Sequence, residues 1–486
     1  MRITALVSAL ALVVSVAPLD AYAHGSHRRD RDVEMIKHWN EVAIDMSGLD
    51  HAPVPPGDPR TFGEGLGPVR SSRAMAIVHI AVFEAVNAIE GGYRSYVGLS
   101  RVSSDTSMPA AIAQAAHDTL VAMFPSQTEA ADDLLDEDLS NLRRGQEFER
   151  GIELGRRAAA AILQKRANDN SDAFEPVLGV DYFTSDDPGR WRQDPISQIP
   201  IALGALDETT PFALRSASQF RVPPPPDLDS DEYTRAFNEV KRLGGDGVNT
   251  PTARTPRQTL IGIYWAYDGV PNLCAPPRLY NQITMEIALD RGTSAKSLAR
   301  LLALVNVAMA DAGIAIWESK YFHDFWRPVT GIREADQGTG PTGAGDDNPD
   351  TRGNITFSPL GAPASNTNGR LNFTPPFPAY PSGHAGFGGA LFQTLRRFYG
   401  TDRIAFTFVS DEFDGVTRDN QGRVRPRVPR RFSSLSQAEE ENGQSRIYLG
   451  IHWAFDKTEG IRQGRRVADY VFERLFVPVS SGGGSR

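Results

Sequence analysis

Residues 294–322, SAKSLARLLALVNVAMADAGIAIWESKYF, decide the fold class. Leu298, Leu301, Leu302, Val305 and Met309 recur at steps of three and four, the period of an α-helix. The run is apolar enough to suggest a membrane span, but Arg300 and Asp311 interrupt it, so it reads as a buried core helix. Working outward, the same pattern predicts helices over 33–46, 73–89, 110–124, 130–142, 151–165, 257–266, 278–289, 385–398 and 456–475. The 73–89 stretch, RAMAIVHIAVFEAVNAI, is apolar nearly all round, as a central helix would be. Alternating strand patterns are scarce. A short piece at 405–409 is able to pair, but no large sheet is expected. Long stretches rich in Pro, Gly and Asp/Asn separate the helices at 50–67, 168–230, 336–378 and 411–437. Loops of that length usually cover or line a site.

A weak internal echo adds a second level of order. GIELGRRAAAAIL from Gly151 resembles GIRQGRRVADYVF from Gly460, and the 73–89 stretch loosely parallels VNVAMADAGIAIWESKYF from Val305. Self-similarity of this kind points to duplication, although Ala-rich helices also resemble one another by composition. The expected fold is therefore all-α, with two four-helix-bundle-like halves (24–230 and 231–486) and long covering loops.

The net charge of -9, from 51 basic and 60 acidic residues, argues against nucleic acid as a partner and against a polybasic membrane anchor. At the N-terminus, Arg2, an apolar run over 3–16 and Ala21-Tyr22-Ala23 form the pattern of a signal peptide over 1–23. Cleavage would leave His24 first, a secreted or periplasmic protein, and no membrane span. The single cysteine, Cys274, excludes an intrachain disulfide. It sits in NLCAPPRL with no histidine nearby and reads as a buried, inert thiol. His79 and His117 fall in apolar helices and read as satisfied core histidines rather than ligands.

Three clusters in the second half carry chemistry. In KYFHDFWRP, Lys320 and Arg327 are seven apart, two turns along nearly one face if a helix runs through them, and two long cations there can converge on one anion. Pro328 makes a helix end beside Arg327. Taken alone, the pair would read first as two solvated surface cations. In PSGHA, Ser382 and Gly383 stand where a helix begins, with free backbone N–H groups and a dipole that favours anions. Alone, the tripeptide would read first as an ordinary N-cap with a chance histidine. In SRIYLGIHWAFD, Arg446 and His452 are six apart and cannot share a face of an unbroken helix. A break at Gly450 would turn His452 back towards Arg446, and Asp456 would meet His452 one turn on. A carboxylate behind an imidazole fixes its tautomer. Together the set offers three cations, a hydroxyl, a helix N-terminus and two imidazoles, which suits a tetrahedral or trigonal-bipyramidal oxyanion.

KYFHDFWRP, PSGHA and SRIYLGIHWAFD resemble, in order and internal spacing, the signature motifs of the vanadium-dependent haloperoxidases and of their relatives, the phosphatidic-acid-phosphatase-type acid phosphatases. The stretch TPPFPAYPSGHAGFGGALFQTLRRFYG, together with WAYDG from Trp265 and the downstream PPRLYNQ, is more similar to the chloroperoxidase branch. The resemblance implies a vanadate cofactor held by Lys320, Arg327, Ser382, Gly383 and Arg446, with His452 bonded to the metal. It implies His384 as acid/base, Asp268 paired with Arg446, Asp456 behind His452, and Trp317 and Phe377 beside the halide. Hydrogen peroxide and a halide would be the reactants, hypohalous acid the product, and a small organic molecule a conceivable acceptor. Lys320 would polarise the peroxide. Phosphate would compete for the same pocket. Two other readings use the same residues: a secreted acid phosphatase with His452 as nucleophile and His384 protonating the leaving group, and a non-catalytic oxyanion-binding protein. An Arg-rich stretch, RVRPRVPRR, lies between His384 and Arg446 and departs from the family pattern, so pocket access is expected to differ.

Overall fold

The computed structural model describes residues 26–200 and 208–479. The signal peptide and its cleavage site lie outside the described residues. Thirteen α-helices run through the described residues. They are α1 (Ser26–Asp50), α2 (Pro68–Glu90), α3 (Met108–Met123), α4 (Thr128–Ser140), α5 (Gln146–Arg166), α6 (Asp231–Leu243), α7 (Pro256–Tyr264), α8 (Pro276–Asp290), α9 (Ala295–His323), α10 (Pro328–Arg333), α11 (Gly383–Tyr399), α12 (Leu435–Tyr448) and α13 (Ala454–Arg474). Among the described residues the sheet content is one antiparallel pair, β1 (Phe406–Val409) with β2 (Pro429–Phe432), Phe406 opposite Phe432. The 405–409 piece thus pairs as anticipated. Three helices escaped the sequence reading: α6, α10 and α12. The last begins within the segment read as a loop, where Ser434 caps it by accepting from Gln437 N. Its apolar residues mark no clear stripe.

Helices α2 to α5 form one bundle and α9, α11, α12 and α13 a second; the two meet where α2 packs on α9. These two helices are long and apolar enough to cross a membrane, yet both are sealed inside the protein, as the interruptions at Arg300 and Asp311 suggested for α9. Asp311 is buried in α9 and accepts the backbone N–H groups of Phe212, Ala213 and Leu214 at 2.6, 2.8 and 2.9 Å. That satisfies the carboxylate and pins the long covering segment to the central helix.

The echo in the sequence has a physical counterpart. In the first bundle, Gly151 and Gly155 of α5 press on α3: a Cβ at Gly151 would meet Ser107 O at 2.5 Å, and one at Gly155 would meet Gln114 Cβ at 2.6 Å and Ala111 O at 2.8 Å. In the second, Gly460 and Gly464 of α13 press on α11: a Cβ at Gly460 would meet Ser382 O at 2.6 Å, and one at Gly464 would overlap Gly386 O. Ser107 and Ser382 each precede the helix that receives the glycines. Ser107 N donates to Glu147 O at 2.9 Å, and Ser382 N donates to Asp456 O at 3.0 Å. The correspondence is residue by residue, down to Ala110 with Ala385 and Ala115 with Ala390. What differs is the helix start. Met108-Pro109 stands in α3 where Gly383-His384 stands in α11.

His117 is satisfied, between Asp118 and Asp132 at 2.8 Å each. His79 departs from the sequence reading: it is buried, and neither ring nitrogen has a hydrogen-bond partner. Burial pushes its pKa down to about 3, so it stays neutral.

Candidate active site

Lys320 and Arg327 do not share a helix face. Helix α9 stops at His323 because Asp324 turns left-handed (φ 51), and Arg327 stands beyond the turn as the residue preceding α10, with Pro328 opening that helix. The break comes earlier than Pro328 alone suggested. It is held by the covering loop of the first half: Trp191 N donates to Asp324 O (2.9 Å), Trp326 N to Gly189 O (3.0 Å), and Tyr182 OH to Asp324 Oδ1 (2.7 Å). The two cations still converge, because both are tied to one stretch of backbone ahead of α11. Lys320 Nζ donates to Pro378 O (2.8 Å) and Ala379 O (2.9 Å), and Arg327 Nε donates to Phe377 O (2.9 Å).

Ser382 stands at the N-cap of α11, its Oγ accepting from Ala385 N. Gly383 and His384 are therefore the first helical residues, whose amides have no intrahelical acceptor. Trp317 lies directly on this start; a Cβ at Gly383 would be 3.5 Å from its ring. Phe377 packs against Trp317 with ring centroids 5.0 Å apart, and Lys320 Nζ is 5.3 Å from the Phe377 centroid.

Arg446 lies in the last turn of α12, and Gly450 turns the chain at φ 76, the break expected from the six-residue interval. Sequence reasoning missed what enforces that turn. Gly244 and Gly450 touch backbone to backbone; a Cβ at Gly244 would be 2.5 Å from Gly450 Cα. Arg254 Nη1 donates to Leu243 O, Gly245 O and Tyr448 O at 2.6, 2.9 and 3.0 Å, joining the ends of α6 and α12. Beyond the turn, His452 Nδ1 lies 2.7 Å from Asp456 Oδ2, which also accepts Trp453 N at 3.0 Å. His452 precedes α13 rather than lying on it, so the contact is made across the helix start, not along a helix face.

The hydrogen-bond pattern fixes both tautomers. Arg327 Nη1 is 2.9 Å from His452 Nε2, and a guanidinium only donates. His452 therefore carries its proton on Nδ1, towards Asp456, and its unprotonated Nε2 accepts from Arg327 Nη1. His384 Nε2 contacts Ala266 O, which only accepts, so Nε2 carries the proton and Nδ1 is left to take or give one. Burial, reinforced by Arg446 for His384 and by Arg327 and Lys320 for His452, holds both imidazoles well below the usual histidine range. Burial and Arg327 likewise push Lys320 down, while burial raises Asp456 to about 7. Asp268 Oδ1 accepts Arg446 Nη2 at 2.6 Å and lies 3.8 Å from His384 Nε2. All seven residues proposed around the anion, Lys320, Arg327, Ser382, Gly383, His384, Arg446 and His452, are buried together.

The sequence compares directly with a known protein. The chain is 32% identical over 502 residues to the vanadium chloroperoxidase of Curvularia inaequalis, an alignment covering 87% of this chain and 78% of that protein. The chain belongs to the vanadium-dependent haloperoxidase family. Residues 300–480 match the VCPO second helical-bundle domain, the part that holds every site residue expected from the sequence except Asp268. Among solved structures, the fold is similar to a bacterial vanadium-dependent iodoperoxidase (TM-score 0.69, 23% identity, 92% of this chain and 97% of that one). It is also similar to an apo bacterial vanadium-dependent chloroperoxidase (TM-score 0.63, 16% identity, 84% and 94%).

The residues of this haloperoxidase fit the oxyanion that its family name implies. Arg327 Nη2 and Arg446 Nε and Nη1 are buried with no hydrogen-bond partner. Three orphaned guanidinium nitrogens within one cluster are costly unless an anion receives them. Among the described residues, the carboxylates that act on Lys320, Arg327 and Arg446 are Asp268 and Asp456, so the cluster is short of negative charge. Among the described residues no group of three His, Cys, Asp or Glu side chains is gathered to cage a bare cation. The donor set suits a metal that arrives with its own oxygens. The Arg-rich stretch contributes Arg425, whose Nη1 reaches Glu412 Oε2 (2.5 Å) and Ser365 Oγ (2.8 Å), a buried pair that sequence reasoning did not anticipate.

Proposed function

We propose that this haloperoxidase, after export, oxidises a chloride or bromide ion with hydrogen peroxide to hypohalous acid at a vanadate bound among these residues. The orphaned, buried N–H groups of Arg327 and Arg446, beside an unprotonated His452 Nε2 that is able to bond a metal once Arg327 Nη1 releases it, carry the reading. Lys320, Arg327, Arg446, Ser382 and the Gly383 amide would hold oxygens, and His452 Nε2 would bond the metal. When bound, vanadate supplies a Lewis acid that activates peroxide without a change of oxidation state. Asp456 keeps the proton of His452 on Nδ1 and so preserves the lone pair. Lys320 and the two arginines, all buried, would offset negative charge on the bound oxyanion. His384 Nδ1 moves the proton as peroxide binds and as product leaves. Asp268 steadies Arg446. Trp317 and Phe377 give the halide an apolar wall next to Lys320. Residues 24–230 would then serve as scaffold and cover, and 231–486 would carry the site.

The same pocket would take phosphate, and a phosphatase would use His452 as nucleophile. The apolar Trp317–Phe377 wall and the identity to a chloroperoxidase across most of the chain favour halide oxidation. A paired assay decides between them. Purified protein with vanadate, peroxide and bromide should brominate a reporter dye. Without vanadate, it should leave a phosphomonoester nearly untouched. Phosphomonoester turnover with no bromination would overturn the proposal.

A further inference from the structure

We infer that Tyr280 and Asn442 are positioning residues for His384: they clamp its backbone carbonyl, so that the imidazole is fixed at both ends. This inference rests on the acid/base role proposed for His384. Tyr280 OH donates to His384 O at 2.9 Å, and Asn442 Nδ2 donates to the same oxygen at 2.9 Å. Tyr280 OH is also 3.2 Å from Asn442 Oδ1, closing a triangle of polar groups around one carbonyl. Both side chains are fully buried. A carbonyl in the first turn of a helix already has the amide four residues on as its donor. Two further buried donors there are not needed to satisfy it.

The surroundings are shaped for this contact. Gly388, one turn along α11, has no side chain; a Cβ there would overlap Asn442 Nδ2 and lie 3.6 Å from Tyr280 OH. Burial pushes the Tyr280 phenol well above its ordinary range, so it remains a donor throughout neutral and alkaline pH. Asn442 is four residues before Arg446 on α12, one turn along the same face. One helix therefore sets the backbone of His384 through Asn442 and meets Asp268 through Arg446, while Asp268 lies 3.8 Å from His384 Nε2. With Nε2–H held by Ala266 O at one end and the main chain held by the clamp at the other, Nδ1 has a single direction in which to present its lone pair. General acid/base catalysis depends on that direction, because the proton must pass along a short, aligned hydrogen bond.

The test uses the full exported chain and the variants Tyr280→Phe, Asn442→Ala, His384→Ala and the two double variants with His384→Ala. Melting temperature and calorimetric vanadate affinity are measured first. Tyr280→Phe should bind vanadate within ~3-fold of the parent, well short of the 10–100-fold lost with a partner that supports a ligand. Its kcat for bromide oxidation should fall ~10-fold, a fraction of the 10²–10⁴ available to acid/base catalysis. In the His384→Ala background the same substitution should cost nothing further, because the clamp acts only through His384. The ring ¹⁵N signals of His384, identified by their loss in His384→Ala, should shift or broaden in Tyr280→Phe and Asn442→Ala without vanadate or substrate. Equal kcat losses in both backgrounds, or unchanged ring signals with unchanged kcat, would overturn the clamp. If the parent oxidises no halide, the proposed function fails, and the ring signals still decide the clamp.

Discussion

Removing each of the two site histidines in turn should separate metal ligation from proton transfer. His452 Nε2 is unprotonated and accepts from Arg327 Nη1, and its other nitrogen is 2.7 Å from Asp456. Losing a residue that merely supports a ligand costs ~10–100-fold in metal affinity, so losing the ligand itself should cost more than ~100-fold, or ~2.7 kcal/mol at 1.36 kcal/mol per decade. His384 offers vanadate at most one neutral hydrogen bond among several, worth about 0.5–1.5 kcal/mol, or roughly two- to twelve-fold. The structural side costs are similar. Each substitution removes one buried imidazole, Asp456 Oδ2 keeps the Trp453 amide, and Arg327 Nη1 keeps Ile451 O at 2.9 Å. His452→Ala should therefore nearly abolish vanadate binding. His384→Ala should bind almost normally and turn over poorly. Calorimetric titration of vanadate into both apoproteins, followed by bromide oxidation, measures the two quantities. Equal affinities in the two variants would remove the ligand assignment, and full turnover in His384→Ala would remove the acid/base assignment.

Gly464→Ala forces a methyl group into Gly386 O across the α11–α13 contact and should cost ~1–3 kcal/mol of stability, read as a lower melting temperature. A wild-type melt would mean that the two helices slide freely. His117 is buried, which disfavours its charge, but the hydrogen bonds to Asp118 and Asp132 outweigh burial and raise its pKa. The folded state thus holds that proton more tightly than the unfolded chain. The stabilisation is complete below about pH 6.5 and is lost as pH rises through the raised value. Asp118→Asn with Asp132→Asn should flatten this part of the melting-temperature profile; an unchanged slope would discount it. Mass spectrometry of protein recovered outside the cytoplasm should find an N-terminus near His24, and an intact Met1 would count against cleavage.

The class of fold was legible because the two most apolar stretches, around Val82 and Val305, are core helices whose pattern owes nothing to partners. The anion donors were legible as residue types in motifs. Their geometry was less so. Lys320 and Arg327 lie on either side of a turn imposed by Trp191, Gly189 and Tyr182, residues from a loop more than a hundred positions earlier. No local signal in KYFHDFWRP announces that. Helix α12 was invisible because its surface is mixed: Glu439 is buried against Arg396 and Arg465, so its inward side is partly charged. Asn442 and Tyr280 were unreadable for another reason. Their role is towards a backbone carbonyl, and a main-chain partner leaves no mark in a sequence. The Gly450 break was foreseen from the six-residue interval, but the partner that locks it, Gly244, looks like any helix-ending glycine.

The paired glycines of α5 and α13 bear on how such an enzyme would look under saturation mutagenesis. Gly151 and Gly155 lie in the half without the anion donors, at a helix that opens with Met108-Pro109, yet a methyl group at either would collide with α3 much as one at Gly460 or Gly464 collides with α11. A map of residues that tolerate no change would therefore show two hot regions of comparable intensity, one in each bundle. Only one of them would do chemistry. To tell them apart, the screen would have to score abundance and turnover separately: the first bundle would fail on abundance alone, whereas Arg446 and His384 would fail on turnover in protein still present at normal levels.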